Sequence, residues 1–471
     1  MDRETLEGMR RFFSPTHIAV VGASTKNHWF ANVVKNARSI GFEGGIHPIN
    51  PNAAEVAGIK AFPSIGELPD GLIDFGVIIV NAKLVLKSIE ELVRKGIRNV
   101  LLLSSGYAEL GGEGLSKQEE LTRYCRENGV RLMGPNCLGF MNFSDRVSVF
   151  TGGAVQGELI PGQVAVLGQS GASTEIMVTK ILAKRLGVSL YATTGNEAML
   201  TAEDIMEYLV NDGRTRVITG FIETFRDIPR MKRIALEAAE KRVPIILIKI
   251  GRSEKAVQAA SSHTGAMAGN DAVMEGFLRQ HGIIRVDTVE ELVETAGIFS
   301  RCRLPRGGGL CVCTVSGGLC GLYADLCSRY GIDLPRLSEK TTASLKAVLP
   351  DFAQPDNPLD VTGSGFSKGL SEVIRILLDD ENIDIIAPFS FVPESKDDVM
   401  PQLFNETIIP YVHSSEKPII PMAFREVNDY ARGYYHEKGM HLLEHIEDGF
   451  KAISHLIGYA RFQKRFAPEG G

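Results

Sequence analysis

The sequence has no surplus of positive charge: 51 Lys plus Arg stand against 57 Asp plus Glu, a formal net charge of −6. Such a balance offers no basic field, so neither nucleic acid nor an anionic membrane is expected as a partner. Cysteine is scarce, with seven in 471 residues. Its closest spacing is the C-x-C of Cys311 and Cys313, and C-x-x-C does not occur. That does not resemble a disulfide framework, and no metal ligand set is identified. Apolar runs long enough to span a bilayer, about 18 residues, are missing. The first residues, MDRETLEGMRRFFS, are charged and lack the apolar centre of a signal peptide, so a reducing cytoplasm is the expected location. Two nucleotide signatures are also missing: G-x-G-x-x-G after the first strand, and the Lys of a Walker loop.

What is present is an ordinary globular composition, 44% hydrophobic and 23% charged. At this length roughly three domains of ~100–200 residues are expected. One device occurs three times: a β-branched apolar run, a Gly/Ser turn, then helical periodicity. The copies are HIAVVGAS (17–24), QVAVLGQSGAS (163–173) and GLCVCTVSGG (309–318). Further apolar runs alternate with amphipathic stretches in each block, among them DFGVIIVNA, RNVLLLSSG, RVITGFIET, VPIILIKIG, IDIIAPFSFV and KPIIPMAF. This pattern predicts α/β domains with parallel, doubly wound sheets. The Gly/Pro-rich stretches 149–162 and 303–309 read as linkers, which sets the blocks at 1–150, 160–303 and 308–465.

In such sheets ligands meet the carboxyl ends of the strands, where helix amides hold phosphate. Gly22, Ala23 and Ser24 occupy that place after the first strand, either as a tight turn or as a contact for an adenine nucleotide or coenzyme A. With the fingerprint missing, and Asn50-Pro51-Asn52 rather than an acid ending the second strand, a nicotinamide dehydrogenase is disfavoured. In the second block Gly168, Gln169, Ser170, Gly171, Ala172 and Ser173 bring several amides and two hydroxyls to one point. That is either a plain strand-to-helix turn or a cradle for one phosphate or phosphoryl group.

His263 sits in SSHTGAMAG (261–269), a run of small residues that lets backbone approach a ligand. A phosphoryl acceptor needs an imidazole with one nitrogen free and the other held by an acceptor, and Glu223, at the end of VITGFIE, is the candidate carboxylate. The bland alternatives are a surface histidine and an exposed acid at a strand end. Cys137, in GPNCLG (134–139), reads as a packing residue, since no histidine is arranged with it.

Taken in order, VGAS, HPINP, SSGYAELGGEG, GPNCLG, GQSGAS, TTGNEAMLTAEDIMEYL, GFIE and SHTGAMAG resemble the nucleoside-diphosphate-forming acyl-CoA synthetases, relatives of succinyl-CoA synthetase. VSGG (315–318) and NPLDVTG (357–363) resemble the further flavodoxin-like domain of the acetyl-CoA synthetase α subunits. The resemblance implies a CoA-binding Rossmann-like domain followed by two flavodoxin-like domains. It makes His263 the phosphohistidine and Glu223 its orienting acid. Phosphate falls to Gln169, Ser170, Gly171, Ala172, Ser173 and Gly265, and coenzyme A to Gly22, Ala23, Ser24, Asn50, Asn81, Ser105 and Gly106. The pattern departs from the family at Val80-Asn81-Ala82, at Asn52, and at Gly195-Asn196-Glu197-Ala198-Met199. Members use ATP or ADP with Mg2+ in an ATP-grasp domain, and no fourth block is seen here. An ATP-grasp β subunit is therefore expected as partner, in a heterodimer or heterotetramer acting on a small carboxylic acid or its acyl-CoA. The alternative is a non-catalytic CoA-binding or regulatory protein.

Overall fold

Apolar runs closed by Gly, Asn or Ser become the strands of three sheets in the computed structural model, which describes residues 1–26, 28–256, 270–363 and 369–466. The chain divides into two units, Met1–Asp287 and Thr288–Gly471. The first two blocks share one unit because they share one apolar core, running from Ile18 and Phe75 through Leu167 to Ile218 and Leu247.

The first sheet uses β1 (His17–Val21) and β2 (Gly45–Ile49). After a small ribbon of β3 (Glu55–Val56) and β4 (Ile59–Lys60) it continues with β5 (Phe75–Ile78), β6 (Asn99–Leu102) and β7 (Arg131–Met133). Its order is β2-β1-β5-β6-β7, parallel throughout. Strand order reverses at β1, so the loop after β1 opens at a topological switch point. The helices α1 (Arg3–Phe13), α2 (His28–Ile40), α3 (Ala82–Arg94) and α4 (Gly112–Glu127) belong to this half. Local chemistry starts two of them: Thr5 N–H donates to Asp2 at 2.8 Å, and Lys83 N–H donates to Asn81 at 3.1 Å.

The second sheet has seven strands in the order β14-β13-β12-β10-β11-β8-β9. They are β8 (Gly139–Asn142), β9 (Val147–Ser148), β10 (Pro161–Gly168), β11 (Val188–Thr193), β12 (Val217–Ile222), β13 (Ile245–Lys249) and β14 (Ile284–Arg285). With them come α5 (Gly171–Ala183), α6 (Ala202–Asn211) and α7 (Ile228–Glu240). From β14 to β11 the pairing is parallel, as the pattern predicts. Residues 139–148, grouped by sequence with the first block, instead join this sheet, β8 pairing antiparallel with β11 and β9 antiparallel with β8. They cover an edge that would otherwise present unpaired backbone groups.

In the second unit β15 (Leu310–Thr314), β16 (Leu359–Asp360), β17 (Ile385–Ser390) and β18 (Met422–Ala423) form a parallel sheet ordered β16-β15-β17-β18. KPIIPMAF yields only the two residues of β18, because Ile419 joins the sheet through a single bridge and Pro421 lacks an N–H to donate. Helix Val289–Arg301 is stitched into this unit by two imidazole–carboxylate contacts, His441 to Glu294 at 2.9 Å and His455 to Glu291 at 2.8 Å. No helix among the described residues is long and apolar enough to cross a membrane.

Five rings fasten the two sheets of the first unit together. Phe12 and Phe13 of α1 pack edge-on against Phe75 of β5 and Phe140 of β8, with centroids 5.1 Å apart in each pair. Phe13 also stacks on Tyr208 of α6 at 5.3 Å. Phe140 touches Phe12, Phe13 and Phe75 and is wholly buried. Phe140→Ala is expected to destabilise the first unit by about 3–5 kcal/mol, measured by denaturant unfolding.

Candidate functional site

Along the first sheet the candidate coenzyme residues fall on one edge, because parallel strands end together. Asn50 follows β2, residues 22–24 follow β1, Asn81 lies beyond β5, and Ser105 and Gly106 lie beyond β6. Local backbone needs explain several of them. Gly22 has φ +90° and a Cβ there would lie 2.6 Å from Val80 Cγ1, so the tight turn requires glycine. Asn50 donates from Nδ2 to the Ala23 carbonyl at 2.7 Å, binding two strand ends together. Ser24 accepts from Lys26 N–H at 3.1 Å. Gly106, at φ +107°, donates its N–H to Glu109.

The second sheet presents its carboxyl edge to a cleft of about 370 Å³ lined by residues of both halves of the unit. Ser105 reaches it from the first sheet, while Gln169, Ser170, Gly171, Ala172 and Glu223 reach it from the second. Asn136, Cys137 and Leu138 of the GPNCLG turn, Gly195 and Asn196 of the TTGN turn, and Trp29 of α2 complete most of the wall. Six predicted residues thus converge here, while Gly22, Ala23, Ser24, Asn50, Asn81, Gly106 and Ser173 are not among its lining residues. His263 and Gly265 lie outside the described residues.

Ser170 precedes α5, and the N–H groups of Gly171, Ala172 and Ser173 have no carbonyl one turn behind them inside the helix. The Ser170 hydroxyl donates to that of Ser173 at 3.0 Å. Gly171 packs against Leu138, where an added Cβ would lie 2.8 Å from Cδ1. Amide donors, two hydroxyls and the positive end of a helix suit a dianion. Gln169 plays a different part from its neighbours. Its N–H donates to the Phe221 carbonyl at 3.2 Å, and both ends of its side-chain amide are engaged within the protein.

That amide holds the turn carrying Glu223. Glu223 N–H and Thr224 N–H donate to Gln169 Oε1 at 2.7 and 3.0 Å, and Gln169 Nε2 donates to the Thr224 carbonyl at 2.8 Å. Nε2 also donates to Glu197 at 2.9 Å. Glu197 is buried and accepts from the Thr194 hydroxyl at 3.0 Å, Ala202 N–H at 2.9 Å and Arg226 Nε at 3.0 Å. Burial pushes its carboxyl above the usual range against the pull of Arg226, and Glu203 pushes it further the same way. The two turns facing the cleft are also joined, since Asn196 N–H and Ala198 N–H donate to the Pro135 and Gly134 carbonyls, each at 2.9 Å.

Sequence reasoning did not single out Glu197 as a hub, nor Arg226, Asn196, Glu109 or Trp29. The one available signal was the departure of 195–199 from the family pattern, which coincides with this buried acid. Cys137 is buried and its thiol is pushed up to about 12, in keeping with a packing role. Among the described residues no cluster of His, Cys, Asp and Glu is placed to hold a metal ion.

A model of the CoA binding domain matches residues 16–142, and one described as the succinyl-CoA ligase like flavodoxin domain matches residues 161–299. The acetate–CoA ligase (ADP-forming) II subunit alpha of Pyrococcus furiosus is 33% identical over 438 residues, 92% of each chain. The acetate–CoA ligase (ADP-forming) I of Archaeoglobus fulgidus is 35% identical over 381 residues. The chain spans about half of that protein, 54% of its length. The apo structure of the dinucleotide forming acetyl-coenzyme A synthetase 1 of Ca. Korarchaeum cryptofilum superposes with a TM-score of 0.85 at 27% identity. That match covers 97% of this chain and 98% of the other. These matches bear out the resemblance drawn from the ordered motifs and the α/β domain classes it implied.

Arg226→Met leaves the buried Glu197 carboxylate without its cation, and an expected loss of about 3 kcal/mol follows at neutral pH. Because burial raises the Glu197 pKa, the folded protein takes up a proton before the unfolded chain does as pH falls. The deficit should therefore shrink as pH falls, when unfolding of both forms is compared at neutral and at mildly acidic pH.

Proposed function

Since the chain belongs to the family of ADP-forming acyl-CoA synthetases, we propose that it is the α chain of such a ligase. It would interconvert acyl-CoA, ADP and phosphate with a carboxylic acid, CoA and ATP. The observation that carries this is one cleft in which the first sheet's edge, the start of α5 and Glu223 meet. Coenzyme A lies along the carboxyl edge of the first sheet, over residues 22–24, Asn50, Asn81 and residues 105–106, with its thiol end toward GPNCLG. Phosphate is held by the first-turn amides of α5 and the Ser170 and Ser173 hydroxyls, which replace its water shell.

A phosphate oxygen attacks the thioester carbonyl, the C–S bond breaks, and CoA leaves as the thiol once protonated. The acyl phosphate formed is then attacked at phosphorus by His263. The P–O bond to the acyl group breaks, the carboxylate departs, and a phosphohistidine remains. Glu223 accepts the hydrogen bond of the other ring nitrogen and stabilises the charge the ring acquires. An ATP-grasp β subunit that binds the nucleotide with Mg2+ supplies ADP, whose terminal oxygen takes the phosphoryl group from His263. Run backwards, the same steps make acyl-CoA from acid and ATP. The whole cycle belongs inside the cell, where these metabolites are.

Incubation with γ-labelled ATP and a candidate ATP-grasp subunit should place acid-labile, base-stable label on His263. His263→Ala should abolish that label and leave CoA binding intact. Glu223→Gln should slow labelling by about 10²-fold or more. Labelling of His263→Ala at the wild-type rate would refute the assignment.

A further inference from the structure

Lys249 ends β13 beside the site and is almost wholly buried. Its ammonium donates to the Glu223 carbonyl at 2.6 Å and to the Ile250 carbonyl at 2.7 Å. The Glu223 peptide is thus gripped from both sides, its N–H by Gln169 and its carbonyl by Lys249. Lys249 is itself seated by its neighbours. Arg285 of β14 donates to the Lys249 carbonyl at 2.9 Å and pairs with Asp271 at 2.7 Å. Asp271 opens helix Asp271–Gln280, so one buried guanidinium ties the end of β13 to the start of that helix.

A lysine is a costly way to fill such a place. Two carbonyls could be met by an uncharged donor, whereas a buried ammonium gives up its hydration. Its return is strength and direction, since a charged donor makes hydrogen bonds about twice as strong as a neutral one. Among the described residues lining the cleft there is no Lys or Arg, and Glu223 is the sole charged group.

We propose that Lys249 is a positioning residue for the reaction: its ammonium, with Gln169, fixes the Glu223 peptide and so aims the Glu223 carboxylate at the phosphoryl-accepting imidazole. The proposal rests on the phosphohistidine chemistry put forward above. Loss of the Lys249 proton would slacken this grip. The charged groups facing the ammonium are Arg285, Asp271 and Glu223, and burial with Arg285 outweighs the two acids, bringing its pKa down to about 8. The sign for stability is opposite to that for activity. Above about pH 8 the folded chain has released a proton that the unfolded chain still binds, so the Lys249 contribution to stability becomes more favourable as pH rises. A fall in rate over that range cannot then be assigned to unfolding at this residue.

The test uses the full chain with 32P-labelled acetyl phosphate, following acid-labile label on His263 as a function of reagent concentration and pH. The wild-type saturating rate should decline above about pH 8. Lys249→Met should lower that rate by ~10²-fold while the half-saturating concentration changes by less than about threefold, the mark of a misaimed group rather than a lost binding contact. Lys249→Arg keeps a cation that does not titrate, so it should label and lack the alkaline decline. It also serves as the decisive variant if Lys249→Met does not fold. A wild-type rate in Lys249→Met, or an unchanged alkaline decline in Lys249→Arg, overturns the positioning role alone. A wild-type chain that takes no label from acetyl phosphate or from ATP with a β subunit overturns the phosphohistidine reading, and this role with it.

Discussion

The side-chain amide of Gln169 makes four hydrogen bonds at once, and the cleft is organised around it. One oxygen accepts from two successive N–H groups, those of Glu223 and Thr224, while the nitrogen donates to the Thr224 carbonyl and to Glu197. A buried amide with every group matched is rigid, because breaking any one bond leaves a desolvated donor or acceptor. Through this residue the end of β10, the turn after β12 and the turn after β11 are held in one arrangement. An apolar side chain could fill the space but could not bond the polar backbone of the turn after β12 or the Glu197 carboxylate.

Around that amide the protein buries charges that cost it stability. Glu197 lies beside Glu203 with Arg226 as counter-ion, and Lys249 lies beside Arg285 with Asp271 as the balancing acid. In both clusters burial works against the charged form of the central group. Stability alone favours well-packed apolar residues at such positions, so charged groups kept beneath a cleft fit a site that needs fixed geometry and fixed field. The ring cluster of Phe12, Phe13, Phe75, Phe140 and Tyr208 does the complementary task. It sets the two sheets of the unit against each other by shape and apolar contact, so that polar bonds near the cleft need only adjust local turns.

Several candidate residues prove to have two kinds of reason for being what they are. Asn50 bonds a neighbouring strand end, Asn81 caps a helix and Gly22 makes a turn that a side chain would obstruct. None of these roles conflicts with a ligand lying along the same edge. A parallel sheet collects its turns, caps and helix starts where ligands bind, so one residue commonly serves both the backbone and the ligand.

By itself the sequence determined that there are three α/β sheets, because strand runs, glycine turns and helical periods are local signals carried within a few residues. It also located the strand ends that bear Gly22, Gly168 and Glu223. It did not disclose that 139–148 pair with the second sheet, since an edge strand is chosen by which neighbour lacks a partner. Nor did it show that Gln169 supports Glu223, or that Glu197 bonds Gln169 and Arg226 while Lys249 bonds the Glu223 carbonyl. Those contacts join residues tens of positions apart, and only the stacking of strands β10, β11, β12 and β13 side by side brings them within hydrogen-bond reach.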